Sequence, residues 1–168
     1  MHAETIKEFE RDGFKVRLER IPDYDYRAGA DDDVYPRLVL AEEVSDEETL
    51  GKYPGVQQGE YWALTHADAE RLVKVAEPTD RAAFVAWLED TAAALSNGIL
   101  SFVGIRAVVY RAGVELANAS LWGIEDDNRT DEAAEQSRAY WFEVGEELTE
   151  EAMDEARKKI AELTEEAS

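Results

Sequence analysis

The chain has 168 residues, of which 45% are hydrophobic and 10% aromatic, and its formal net charge is −21 at pH 7. This length and apolar content predict a single folded domain over residues 1–168 and exclude a disordered acidic tail. The charge argues against direct binding to nucleic acid or to an anionic membrane, since both repel carboxylates. The absence of cysteine excludes disulfides, thiolate metal ligands and cysteine nucleophiles.

The sequence also bears on localisation. The first residues lack the cationic and apolar pattern of a secretion signal. No uninterrupted apolar stretch approaches the roughly 18 residues that a membrane span needs. We therefore expect a cytoplasmic protein.

The first predicted element is a β-hairpin over residues 1–21. Asp12-Gly13 is a typical type I′ turn dipeptide, and alternating runs flank it. A two-residue turn there places apolar side chains on one face and pairs of opposite charge on the other. The apolar face holds Phe9, Phe14, Val16 and Leu18, and the charged pairs are Glu10/Lys15 and Glu8/Arg17.

Residues 22–60 form a predicted acidic loop region. Between residues 21 and 62 the chain carries eleven acids against three bases. The predicted parts are an aromatic and acidic loop over 22–36, a strand over Arg37–Ala41, a loop over 42–59 and a strand over Glu60–Leu64.

Residues 65–97 are predicted to form a pair of helices. Thr65 is a typical N-cap, and Asp68 occupies the capping-box position. The first helix covers His66–Glu77. The second covers Asp80–Ser96, with Thr79 as its predicted cap and Asn97-Gly98 as its stop.

A second hairpin is predicted over residues 99–124, with strands Ile99–Tyr110 and Val114–Ile124 at the centre of the sheet. Residues 130–166 are predicted to be helical, with a break near Gly145. The apolar seam of this helix consists of Trp141, Val144, Leu148, Ala152, Ala156, Ile160 and Leu163. The core is expected to include Trp87, Trp122, Trp141 and Phe142. The predicted fold is α+β, an antiparallel sheet of two hairpins plus short strands, with two central helices and a long amphipathic acidic C-terminal helix.

No catalytic motif is present in the sequence. His2 and His66 are the only histidines, and we expect His66 to be a surface residue in the first turn of a helix. Glycine-rich phosphate loops and zinc motifs are absent. We assign no catalytic residue, no metal ligand and no cofactor.

The loop over residues 22–36 is the first candidate binding segment. Its carboxylates do not follow the spacing of an EF-hand, although they could gather around Mg²⁺ or Ca²⁺. Tyrosines among carboxylates suit an arginine-rich partner through salt bridges and stacking. The candidate residues are Asp23, Tyr24, Asp25, Tyr26, Asp31, Asp32 and Asp33.

The acidic C-terminal helix is the second candidate binding segment. Residues 125–168 carry sixteen acids against five bases. Six carboxylates between Glu146 and Glu155 span roughly 14 Å, about one per 2.3 Å, against about one charge per 1.7 Å of duplex DNA. The candidate residues are Glu143, Glu146, Glu147, Glu150, Glu151 and Asp154.

The stretch from Val114 to Glu125, which contains the letters ASLWGIE, and the acidic helix after it resemble the ends of small uncharacterised proteins of bacteriophages. In size and charge the chain also resembles DNA-mimic proteins that block restriction or CRISPR enzymes. The first resemblance covers about a third of the chain and the second is one of composition. The resemblance implies a phage or mobile-element context, with the cytoplasm of the host cell as the location.

These observations predict a non-enzymatic, acidic, protein-binding inhibitor. Its expected partner is a basic nucleic-acid-binding protein, a host defence nuclease or its DNA- or RNA-binding subunit, with no direct nucleic-acid or membrane contact. Two alternatives stay open, an immunity- or antitoxin-like binder of a basic toxin and a metal-dependent hydrolase using the loop from Asp23 to Asp33. Self-association as a homodimer also stays open.

Overall fold

Strands and helices follow one another in an α+β order in the computed structural model, which describes residues 2–167. This confirms the predicted fold class. The strands are β1 (Glu4–Arg11), β2 (Phe14–Pro22), β3 (Val39–Leu40), β4 (Thr49–Pro54), β5 (Tyr61–Thr65), β6 (Leu100–Arg111) and β7 (Val114–Asp127). The α-helices are α1 (His66–Ala76), α2 (Arg81–Asn97) and α3 (Asp131–Ala167).

The described residues divide into two compact units. The first comprises residues 2–24, 102–126 and 132–167, and the second comprises residues 25–101 and 127–131. The second unit is thus an insertion between β2 and β6, completed by the short segment that leads into α3. None of the helices within residues 2–167 has the length and hydropathy needed to cross a lipid bilayer.

The sheet of the first unit has the strand order β1-β2-β6-β7, with β1 and β2 antiparallel. The predicted hairpin register is confirmed, because Glu10 faces Lys15 and Glu8 faces Arg17. The predicted ion pair between Glu10 and Lys15 is not the one that forms, since Lys15 Nζ lies 3.7 Å from Glu8. The prediction that the second hairpin is central is correct for β6 only, because β7 forms an edge of the sheet.

Helix α3 covers one face of this sheet and closes the core of the first unit. Its buried members Trp141, Val144, Leu148, Ala152 and Ala156 confirm the predicted seam over most of its length. Leu163 is 61% exposed and lies outside the core.

The predicted break near Gly145 is wrong, because α3 continues through this residue. Gly145 allows close packing and does not end the helix. A Cβ atom at this position would come within 2.7 Å of Leu18 Cδ1, so the glycine lets the helix approach β2 closely.

Three of the four aromatic residues expected in the core are substantially exposed. Trp141 is buried, whereas Trp87, Trp122 and Phe142 are 38%, 46% and 39% exposed. Trp87 stacks on Phe84 with ring centroids 5.6 Å apart, and the ring of Trp122 lies against Gly104. Both indoles therefore pack through one face and present the other outward.

The second unit has a small sheet of order β3-β5-β4 that packs with α1 and α2. The predicted loop over 42–59 is partly wrong, since β4 forms within it by pairing with β5. Thr65 caps α1 as predicted, accepting a hydrogen bond from Asp68 N. Asp80 and not Thr79 caps α2, because its carboxylate accepts from Ala83 N.

Candidate functional site

The outward face of α3 carries a dense set of carboxylates. Because the apolar seam of the helix lies against the sheet, the acidic residues between its members point to solvent. The exposed acids are Glu143, Glu146, Glu147, Glu150, Glu151, Asp154 and Glu155. Since the helix is continuous, Glu143 belongs to the same surface as the others.

Arg11 of β1 neutralises part of this surface. Its guanidinium group donates to both carboxylate oxygens of Glu146, at 3.0 and 3.1 Å, and to Glu150 at 3.1 Å. The hydrogen bonds from Arg11 hold the pKa of Glu146 below its usual range. The side chains of the two acids are at least half exposed, so solvent weakens the attraction.

Arg157 pairs with the next acid along the same flank. Its Nη1 donates to Asp154 at 2.9 Å, and its Nη2 donates to Asp12 in the β1–β2 turn at 3.3 Å. We call Glu146, Glu150 and Asp154 the paired row, since each has an arginine partner.

The remaining acids form a second row, which we call the open row: Glu143, Glu147, Glu151 and Glu155. Successive members are four residues apart, about 6 Å along the helix axis. No ion pair joins any of them to another residue within the part of the chain that the structure describes. Helix α3 therefore carries one line of exposed carboxylates that the described residues leave without an ion pair.

The two flanks of α3 face opposite edges of the sheet. On one flank, Arg11 of the edge strand β1 reaches Glu146 and Glu150. On the other, Trp141 Nε1 donates to the backbone oxygen of Glu125 in β7 at 3.1 Å. Glu155 lies fourteen residues after Trp141, about four helical turns, and therefore on the β7 flank.

The charge density that survives internal pairing is that of a nucleic-acid strand. Seven carboxylates from Glu143 to Glu155 span about 18 Å of helix. If Arg11 and Arg157 each cancel one of them, about one charge remains per 3.6 Å, against about one per 3.4 Å of a single DNA strand.

The loop of the second unit uses a central carboxylate to hold its own backbone. Asp32 Oδ1 accepts from Val34 N at 2.9 Å and from Tyr35 N at 2.8 Å. Its Oδ2 accepts from the Tyr26 hydroxyl at 2.6 Å and from Gly29 N at 3.3 Å. Asp32 is thus a structural residue of the loop, and its oxygens are engaged.

The other predicted loop residues have separate environments. Asp31 accepts from Arg27 N at 2.7 Å, and Asp33 lies 3.9 Å from Arg71. Asp25 is exposed. Asp23 and Tyr24 belong to the first unit, where Asp23 accepts from Gly123 N at 2.9 Å and Tyr24 is 78% exposed. Neither unit therefore gathers these predicted residues into one cluster of carboxylates.

The loop carboxylates were also candidate ligands for a metal ion. Within residues 2–167, no group of three His, Asp or Glu side chains is arranged to hold a metal ion. His66 is exposed in the first turn of α1, as predicted.

The division of the acidic face into two rows is the feature that the sequence did not reveal. Arg11 and Arg157 create it, and Arg11 lies 135 residues from Glu146 in the chain. The available signal was the predicted hairpin, whose turn placed Arg11 at a strand end. The arrangement on α3 can bind a row of cations by charge and by hydrogen bonds to guanidinium or ammonium groups.

Comparison of the chain with protein-family models, with curated proteins and with solved structures finds no match.

Proposed function

We propose that this protein is a non-enzymatic inhibitor that binds the nucleic-acid-binding surface of a basic protein. The observation that carries the proposal is the open row, a line of exposed carboxylates at four-residue spacing for which the described residues supply no ion-pair partner. A surface built to bind a line of phosphates has regularly placed Lys and Arg side chains. The open row offers such side chains a rigid substitute for phosphates.

The cost of the open row to the helix supports a binding role. Like charges four residues apart destabilise a helix by about 0.2–0.5 kcal/mol per pair. The row contains three such pairs, and no arginine among the described residues offsets them. A partner that supplies cations recovers this energy on binding.

The proposed target is a host defence nuclease or its DNA- or RNA-binding subunit, and the proposed location is the cytoplasm of the host cell. This target fits the phage-like character of the ASLWGIE segment and the charge of the chain. A basic toxin is the alternative target, and nucleic acid distinguishes the two. Duplex DNA or RNA displaces the inhibitor from a nucleic-acid-binding surface. It has no effect on a complex in which the inhibitor covers a different surface of a basic toxin.

The experiment is capture of partners from a bacterial lysate at low and high salt, followed by elution with duplex DNA. We expect a basic nucleic-acid-binding protein that is released by salt and by DNA. Replacing all four acids of the open row by glutamine should prevent its capture. The matched control neutralises four exposed acids of the second unit: Glu42, Glu43, Glu47 and Glu89.

Both variants have a formal charge of −17, since each removes four carboxylates from a total of −21. Net charge alone therefore predicts equal loss of binding. Selective loss with the open-row variant supports the proposal. Equal capture by the open-row variant and the parent protein overturns it.

A further inference from the structure

The edge strand β7 is the second surface of the first unit that is suited to a partner. It has 14 residues and lies at the end of the sheet order β1-β2-β6-β7. An edge strand presents a row of backbone N–H and C=O groups that can pair with an added strand. Length and position therefore make β7 a template for strand addition.

The two edges of this sheet differ in their protection. Strand β1 carries charged side chains at five of its eight positions: Glu4, Lys7, Glu8, Glu10 and Arg11. Such charges are a common means by which proteins block unwanted pairing at an edge. In β7 the nine residues between Glu115 and Glu125 include no charged residue and no proline. This stretch of β7 lacks the charges that β1 has, and the left-handed backbone of Gly123, with φ of 71°, interrupts it near its end.

Exposed apolar side chains accompany the uncharged stretch of β7. Leu121 and Trp122 of β7 are 45% and 46% exposed. The ring of Trp122 lies over Gly104 of β6, where a Cβ atom would overlap it. Its Nε1 donates to Ser120 Oγ at 3.2 Å. The indole is thus held in place beside the edge, which lowers the entropic cost of using it as a contact.

The charge around β7 determines what can dock there. The open row winds around α3 toward the β7 flank, where its last member, Glu155, lies on the side of the helix from which Trp141 donates to Glu125 of β7. Glu115 adds a further exposed carboxylate near the start of β7. A second copy of this chain would bring its own open row to the same place, and the two would repel. A basic strand meets complementary charge.

We propose that β7 binds an extended, Lys- or Arg-rich segment of the target as an added antiparallel strand, with the open row of α3 pairing its cations. This inference rests on the proposed function and names the mode of docking. Main-chain hydrogen bonds to β7 supply affinity that does not depend on salt, and the open row supplies the selection for basic segments.

The test uses the full chain and two probe peptides of alternating lysine and valine. The first is unmodified, and the second carries N-methyl groups on alternate amides, which removes the strand's donors on one edge and leaves its charge unchanged. We expect the unmodified peptide to slow amide exchange in β7 and not in β1. The methylated peptide should bind at least about tenfold more weakly, since several hydrogen bonds are lost.

Equal affinity for the two peptides, or protection of β1 in place of β7, overturns the inference. Sedimentation and amide exchange without peptide give a further check. A dimer in which the β7 amides are protected would mean that a second copy of the chain occupies β7, and this result also overturns the inference. Failure of the proposed function is a separate result. It would appear as normal capture of the basic target by the open-row variant, whatever the peptides do.

Discussion

Gly145 in the middle of α3 lies directly against Leu18 of β2, and no space for a side chain exists between them. A Cβ atom at residue 145 would come within 2.7 Å of Leu18 Cδ1, and Leu18 is 1% exposed. The helix is continuous here although glycine is a poor helix former. Close packing between helix and sheet therefore determines the identity of this residue.

Gly145→Ala should destabilise the protein although alanine favours helix. The gain in helix propensity is about 1 kcal/mol, whereas overpacking of a buried site costs about 1–3 kcal/mol. Chemical denaturation measures the difference. A second variant that also carries Leu18→Val should recover part of the loss, because it shortens the side chain at the contact. An increase in stability for Gly145→Ala alone would contradict this packing.

Ala112→Asn should stabilise the β6–β7 turn. Ala112 has φ of 52°, a left-handed conformation that alanine adopts at a cost and that asparagine tolerates well. We expect the free energy of unfolding to rise by about 0.5–1 kcal/mol. Ala86→Asn, at an exposed position of α2, should lower it. Equal effects of the two substitutions in thermal unfolding would argue against the turn geometry.

Asp127 should make the protein more stable at neutral than at acidic pH. Hydrogen bonds from Arg129 lower the pKa of Asp127, and the same guanidinium group donates to Thr91 Oγ1 of α2 at 3.0 Å. Because the pKa is lower in the folded state, the stabilisation is complete above about pH 4, the range of an unfolded aspartate, and is lost as the pH falls through the folded value.

Asp127→Asn should lower the free energy of unfolding by about 2 kcal/mol at neutral pH. The difference in this free energy from the parent protein should shrink in acid. Thermal unfolding between neutral pH and pH 2 measures it. A difference that stays constant over this range would mean that the carboxylate does not carry the pH dependence.

Asp32→Ala should loosen residues 26–35 without affecting α3. The substitution removes the acceptor for the amides of Val34 and Tyr35 and for the Tyr26 hydroxyl. We expect faster amide exchange across this loop and a free energy of unfolding that is lower by about 1–2 kcal/mol. Asp33→Ala is the control, since Asp33 is exposed and makes one long ion pair with Arg71. Saturable Ca²⁺ binding that Asp32→Ala abolishes would instead identify the loop as a metal site.

Local sequence signals predicted the parts of this fold that depend on neighbouring residues. Asp12-Gly13 set the register of β1 and β2, Thr65 capped α1, and Gly98 ended α2. The seam of α3 followed the helical period. The turn and the two helix ends are decided by contacts within a few residues of the signal, and the seam is visible because the helical period is itself local.

Other features depend on contacts between distant segments and were missed. Strand β4 contains glycine, lysine and proline, and it forms because β5 supplies its hydrogen bonds. The sequence around Gly145 predicts a helix break, because Leu18, whose contact explains the glycine, is far away in the chain. The ion pairs of the arginines that divide the acidic face could likewise not be predicted, since Arg11 contacts Glu146 only when the sheet and α3 are packed together.

The open row gives the most direct test of the proposed function. A fluorescent duplex bound to the captured basic partner is titrated with the parent protein, with the open-row glutamine variant and with the matched variant of the second unit. We predict that the parent protein and the matched variant displace the duplex equally. The open-row variant should need at least about tenfold more protein, because several charge-assisted hydrogen bonds are absent. Displacement by the open-row variant at the parent concentration, or a complex that holds duplex and protein together, would contradict phosphate mimicry by α3.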